Sequence, residues 1–183
     1  MKLTVLTQPQ PLVTLEEAKV ALGEDGGDRD AMIEGAILAA QAELDGPKGW
    51  VGISVAEQSV EVRFDRFCDV MQLPSGPVIA PVGSVVYLDS DGVEQTLDDA
   101  TYVLLSDDRI VLADGASWPS IQSTEQAVRV VYDVGITDAA DPRIALMKAA
   151  ILMHVKMTID MADPGVYRAA IERLVAPLQV LGI

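Results

Sequence analysis

Hydrophobic residues follow two different periods along this chain, and each change of period marks a boundary between predicted elements. A first helix is predicted by the capping-box sequence Thr14-Leu15-Glu16-Glu17, and it ends at Gly23. A second helix is predicted from the cap residue Asp28 through about Leu44, because four apolar residues fall at helical spacing. These four residues are Ile33, Ile37, Ala40 and Leu44.

The period then changes to two, which predicts β-strands in the middle of the chain. Val60, Val62 and Phe64 alternate with charged residues and predict a strand with one face in water. Similar patterns predict further strands at about 102–105, 109–112 and 127–134.

A turn signal separates two of the apolar runs in this middle region. Asp89-Ser90-Asp91-Gly92 predicts a hairpin, with Gly92 in the left-handed region beside a bulge.

Helical spacing returns after Asp141-Pro142, which predicts a cap followed by the first helical residue. The helix from about 143 to 160 is apolar on most sides, so it needs cover from more than one direction. We expect another subunit to supply part of that cover. The residues expected at such a subunit interface are Met147, Ile151 and Val155.

A last helix is predicted after Asp163-Pro164, and Pro177 ends it. The apolar residues 178–183 follow as a C-terminal tail. Two interpretations of this tail stay open: its residues fray, or they order on a partner.

The order of these elements predicts an α+β fold in a single domain. The N-terminal helix pair (12–50) and the C-terminal helix pair (141–177) are expected to pack as a helical layer. A central antiparallel β-region of short strands and hairpins occupies 53–136, and the C-terminal tail is 178–183.

Acidic residues dominate the charge of the chain, which has 183 residues and a net charge of −15. Residues 1–141 hold 25 acidic and 8 basic residues, a net −17, whereas residues 142–183 hold 3 and 5, a net +2. This acidic net charge excludes a protein that binds nucleic acid through many phosphate contacts. Two interpretations remain: simple solubility, and a surface that lies near DNA without binding it.

Residues suited to catalysis or to metal binding are few. His154 is the single histidine and lies on an apolar helix, where a packed side chain is expected. Cys68 has no cysteine partner, and the histidine count excludes a histidine-rich metal site, so no metal and no cofactor are predicted. The segment 144–161 carries charged residues that are costly in lipid, so no membrane span is predicted.

Paired acidic residues in the β-region leave one catalytic function open, a small hydrolase. Asp98-Asp99 and Asp107-Asp108 could flank a sugar or a metal, as in a small hydrolase, but turn formation is the favoured interpretation. Asp89-x-Asp91-Gly92 is not a calcium loop, because its twelfth position is Ala100 where an EF-hand needs glutamate.

The series of turns and strands carries a resemblance to a known family. Its most specific parts are a proline–glycine strand entry, the hairpin and a Trp-Pro element before the last strand. In sequence these are Leu73-Pro74-Ser75-Gly76-Pro77-Val78, the segment 86–97 and Trp118-Pro119. With two helices on either side, residues 12–175 resemble the phage head–tail connector (adaptor) family, which includes adaptors of gene transfer agents.

The resemblance implies a structural protein of a phage-like particle and no enzyme activity. It implies a homo-oligomeric ring, typically twelvefold, beneath the portal protein, through which DNA passes without specific binding. It also implies a downstream neck, stopper or tail protein as a second partner, and assembly in the bacterial cytoplasm. Portal binding is expected from the last helix and the tail. The residues expected to bind the portal are Leu178, Val180, Leu181 and Ile183. A different neck or tail-completion protein, which contacts the tail, remains the alternative.

Overall fold

The computed structural model describes residues 1–106 and 108–179, which form two compact units. The β unit comprises Met1–Gln8 and Glu57–Gly135. The helical unit comprises Pro9–Ala56 and the described residues from Ile136 onward. Along the chain, one helix pair precedes the antiparallel strands and another follows them, which confirms the predicted α+β class. The single-domain boundaries stay a prediction.

The element bounds match most of the predicted strands and helices. The strands are β1 (Lys2–Val5), β2 (Gln58–Phe64), β3 (Val70–Gln72), β4 (Val78–Leu88), β5 (Glu94–Thr96), β6 (Tyr102–Leu104), β7 (Arg109–Leu112) and β8 (Val128–Val134). The helices are α1 (Leu15–Leu22), α2 (Asp30–Leu44), α3 (Pro142–Ile159) and α4 (Pro164–Val175). Two short 3₁₀ helices span Asp99–Thr101 and Ala176–Leu178.

The β unit contains two antiparallel sheets. Their strand orders are β1-β2-β8-β4-β5 and β3-β7-β6. Strand β8 is central in the larger sheet, because it pairs with β2 along its whole length and with β4 on its other side. Its alternate side chains are fully buried against the smaller sheet's Met71 and Ile110 in one apolar core. The buried residues of β8 are Val128, Val130, Tyr132 and Val134.

The predicted hairpin is present, with Gly92 in the left-handed region beside a bulge, as predicted. The Asp89 amide donates to the Val93 carbonyl at 3.0 Å, and Gly92 has φ +79°, as its left-handed role requires. The Gly92 amide also donates to the Asp89 carbonyl at 2.9 Å, which places the bulge at Gly92. A second irregularity lies earlier in β4, where the five-residue step from Ile79 to Ser84 faces a two-residue step on β8, from Asp133 to Val131. The β4 segment there bows out of the ladder.

The helix caps agree with prediction at three of four starts. Thr14 and Glu17 form the capping box of α1, and the carboxylates of Asp141 and Asp163 cap α3 and α4. The predicted cap Asp28 is wrong, because α2 starts at Asp30 after Arg29, whose side chain makes no capping bond. Arg29 instead pairs with Glu24, which organises the preceding loop.

Helix α3 forms the centre of the helical core. Met147, Ile151 and Val155 are at most 1% exposed, and α1, α2 and α4 all pack against α3. These three side chains are covered within the single chain, and cover of the rest of α3 by another subunit stays a prediction. Burial on this scale contributes about 1.5–3 kcal/mol for each large apolar side chain.

Truncation of α3 in the core should be costly, whereas truncation of an exposed leucine should not. We expect Ile151→Ala to lower the free energy of unfolding by about 2–5 kcal/mol through the cavity that it leaves. Leu38→Ala on α2, whose side chain is exposed, is the matched control and should change that value by about 0.5 kcal/mol or less. Urea unfolding followed by circular dichroism measures both, and equal losses would contradict this packing.

The link between α1 and α3 should depend on pH. Lys148 donates to Glu17 at 2.8 Å and, with the Thr14 amide, lowers the pKa of Glu17 below its ordinary 4.5. This partly exposed pair should contribute about 0.2–1 kcal/mol above pH 4.5. The contribution should vanish as the pH falls through the lowered pKa, because the unfolded state binds the proton first. Glu17→Gln should therefore be less stable than wild type at pH 7, with the difference closing in acid.

Candidate functional site

The predicted assembly residues lie in two different environments. Met147, Ile151 and Val155 lie inside the helical core and present no surface to a neighbour in the folded chain. Leu178 is 3% exposed and belongs to the same core. Val180, Leu181 and Ile183 lie outside the described residues. The structure of one chain does not test a subunit or portal contact, so both stay predictions.

The chain reaches its last described residues at a fixed place on the helical unit. The Gln179 side-chain amide donates to the Trp50 carbonyl at 3.2 Å, one residue after the buried Leu178. The Arg168 guanidinium of α4 lies 4.7 Å from the centre of the Trp50 ring, a cation–π contact. The Trp50 loop therefore sets the point from which the C-terminal residues continue.

A buried carboxylate holds the Trp50 loop. Asp45 follows α2, is buried, and accepts three backbone N–H bonds: from Gly46 at 2.8 Å, Val55 at 2.7 Å and Ala56 at 3.0 Å. Burial raises the pKa of Asp45, and the three N–H donors oppose that rise. The sequence marks this position only as a helix end, so the clamp could not have been found from the pattern.

His154 pairs with a single carboxylate. Its Nε2 lies 3.0 Å from Glu43 Oε2, which joins α3 to α2. Within residues 1–106 and 108–179, no three or more histidine, cysteine or acidic side chains are grouped as metal ligands, and Cys68 is exposed and unpaired. No helix in that part of the chain is long and apolar enough to span a bilayer.

The aspartates of the β unit form turns, as the sequence indicated. Asp98 accepts from the Ala100 amide at 2.9 Å, and Asp99 accepts from the Tyr102 hydroxyl at 3.0 Å. Asp108 accepts from the Val78 amide at 2.8 Å. Its predicted partner Asp107 lies outside the described residues.

Asp108 also shapes the proline–glycine strand entry. A Cβ on Gly76 would lie 1.8 Å from the Asp108 carboxylate, so any larger residue there would have to displace that carboxylate. The Asp108 carbonyl accepts from the Leu73 amide at 2.9 Å, and the Tyr132 hydroxyl donates to the Pro74 carbonyl at 2.8 Å. Burial raises the pKa of Tyr132, which keeps this donor protonated.

The Trp-Pro element has an equally local role. The Trp118 ring stacks on Phe67 at 4.7 Å, and Phe67 meets Tyr87 edge-on at 5.8 Å. Both sequence signatures therefore stabilise the β unit.

An apolar groove of about 320 Å³ lies in the helical unit between the start of α1 and α2. Glu34 is its single acid, which provides no catalytic pair. The lining residues are Pro11, Val13, Thr14, Leu15, Glu34, Ile37 and Leu38.

Comparison with known proteins finds similarity in structure alone. No family model matches the chain, and no curated protein sequence matches it significantly. Solved structures match over 100% of this chain and 97% of theirs. One is a chain in the neck of an empty gene transfer agent particle computed with C6 symmetry (TM-score 0.70, 19% identity). Another is in the virion of a native particle (0.69, 20%), and a third in a native neck computed with C12 symmetry (0.68, 19%). The chain has the fold of these neck and virion chains.

Substitution of Asp45 should loosen the Trp50 loop. In Asp45→Asn, the side-chain NH₂ would replace one of the two accepting oxygens and face a backbone N–H. We expect a loss of about 1–3 kcal/mol in the free energy of unfolding, the cost of a buried donor left unsatisfied. Hydrogen exchange should show faster exchange at Val55 and Ala56. Wild-type protection at both amides in this variant would contradict the clamp.

Proposed function

We propose that this chain is a structural subunit of the neck of a phage-like particle, a head–tail adaptor that forms a ring under the portal. The ring would extend the DNA channel and join the head to the neck or tail. The observation that carries the proposal is the match over the whole chain to gene transfer agent neck chains. Those necks were computed with C6 and C12 symmetry, which supports a ring of copies.

The chemistry of the described acids supports a structural role over the hydrolase alternative. Asp98, Asp99 and Asp108 are occupied by backbone amides or a tyrosine hydroxyl. A glycosidase needs two carboxyl groups that face a shared substrate space. The described carboxylates instead accept hydrogen bonds that hold the local backbone and Tyr102 in place.

The charge of the chain suits a conduit for DNA. A net charge of −15 repels phosphates at close range, and the repulsion is screened beyond about 10 Å at 0.1 M salt. DNA would then pass without specific binding.

The C-terminal residues are the proposed portal contact. Residues 142–183 carry a net +2, so this part of the chain escapes the acidity of the rest. Val180, Leu181 and Ile183 would supply apolar anchors, while Leu178 and Gln179 fix the start of the segment against the helical unit. Leu178, a predicted portal-binding residue, would anchor the start of this segment.

Deletion of residues 180–183 should weaken portal binding and leave the stability of the fold unchanged. We expect portal capture by the purified chain to fall by about tenfold or more, a loss of at least about 1.4 kcal/mol. The melting temperature should stay unchanged, because Leu178 remains in the core. The matched variant Leu178→Ala should do the reverse and lower stability by about 2–5 kcal/mol.

The measurement is co-sedimentation with the portal protein of the same particle. Normal capture of the shortened chain would refute the role of the tail. A wild-type chain that binds an isolated tail component and ignores the portal would favour the alternative, a neck or tail-completion protein.

A further inference from the structure

The Trp50 loop, residues 46–52, is held by backbone hydrogen bonds at its base and at its tip. The Gly46 amide donates to the Ile53 carbonyl at 2.9 Å, which closes the base of the loop. The Trp50 amide donates to the Glu43 carbonyl at 3.0 Å, which ties the tip to the last turn of α2. With the carboxylate clamp described above, these bonds make the loop a rigid support.

Close packing fixes the same loop a second time. A Cβ on Gly49 would lie 2.5 Å from the Asp45 carbonyl oxygen, a backbone atom that cannot turn aside. The loop backbone therefore lies against the end of α2 at a distance that only glycine permits.

Two exposed side chains from the C-terminal part of the helical unit contact this support. The Arg168 guanidinium lies 4.7 Å from the centre of the Trp50 ring, and Glu172 pairs with it at 3.4 Å. The Gln179 side chain donates to the Trp50 carbonyl at 3.2 Å, one residue after the buried Leu178. Because the Arg168 side chain is 63% exposed and Gln179 is exposed, neither of them fills the core.

We propose that Trp50, Arg168 and Gln179 form a positioning latch, which fixes the direction in which residues 180–183 leave the helical unit toward the portal. The inference rests on the proposed function, because it assigns residues that act on the portal contact through the tail. The three residues of the latch do not themselves touch the portal.

The short length of the tail makes its starting direction matter. Four residues span at most about 14 Å when fully extended, so the position of the first decides which part of a portal surface they reach. Ordering a residue also costs conformational entropy. The latch orders Gln179 when the chain folds, so that cost does not fall on binding.

Substitution of the two exposed members tests the latch in the full-length chain. Gln179→Met keeps the length of the side chain and removes its N–H donor. We expect co-sedimentation with the portal protein of the same particle to weaken by about threefold to tenfold, with an unchanged melting temperature. Arg168→Ala should have a similar effect, and Arg168→Lys should recover most of the binding because it keeps a cation over the ring. Arg173→Ala, which removes the same charge from α4, is the matched control and should bind like wild type.

The decisive measurement repeats these substitutions in the chain that lacks residues 180–183, at portal concentrations high enough to titrate the weaker binding. Because the latch acts through the tail, Gln179→Met and Arg168→Ala should cause no further loss there. The same fold loss with and without the tail would show a direct portal contact and would overturn the latch.

The remaining outcomes also decide the proposal. Wild-type binding by Gln179→Met overturns the latch while binding by the parent chain leaves the adaptor function standing. Equal losses in Arg168→Ala and Arg173→Ala would show an effect of charge and would remove Arg168 from the latch. A lower melting temperature in Gln179→Met would assign its hydrogen bond to folding and would overturn the positioning role. A wild-type chain that ignores the portal overturns both proposals.

Discussion

Burial of helix α3 is the interaction on which the helical unit depends. Its side chains at 147, 151 and 155 are covered by α1, α2 and α4, which come from opposite ends of the sequence. The unit therefore has no complete core until residues 9–56 and those after 136 have come together, and the β unit is inserted between them in sequence. Folding thus buries the side chains of Met147, Ile151 and Val155 inside the helical unit.

Carboxylates organise the turns throughout both units. Asp141 and Asp163 cap helices, Asp89 and Asp108 hold turns of the β unit, and Asp45 clamps a loop from inside the core. Each accepts backbone N–H groups, which are the donors that irregular backbone leaves unpaired. These five acidic residues therefore have structural roles in the fold.

Most elements could be predicted because their signals are local. The capping box at Thr14, the Pro142 start of α3 and the alternation in β8 each depend on residues a few positions apart. Asp45 could not be found, because its amide partners at 55 and 56 are brought to it by the loop. Periodicity identified α3 as apolar on most sides but carried no information on what covers it; the fold shows that Met147, Ile151 and Val155 are buried within the chain.

Acidity restricts where copies of this chain can touch. Two subunits of charge −15 repel each other within the screening length of about 10 Å at 0.1 M salt, which is the range over which a contact forms. A contact is then favourable only where apolar surface is free of like charge or lies beside a base. Such a contact is small, and a small contact is weak between free subunits. Subunits held side by side on a common template meet at a much higher effective concentration, so the same contact suffices to join neighbours there. Under the proposed function, acidity would keep free chains apart and the portal would supply the template on which they close into a ring.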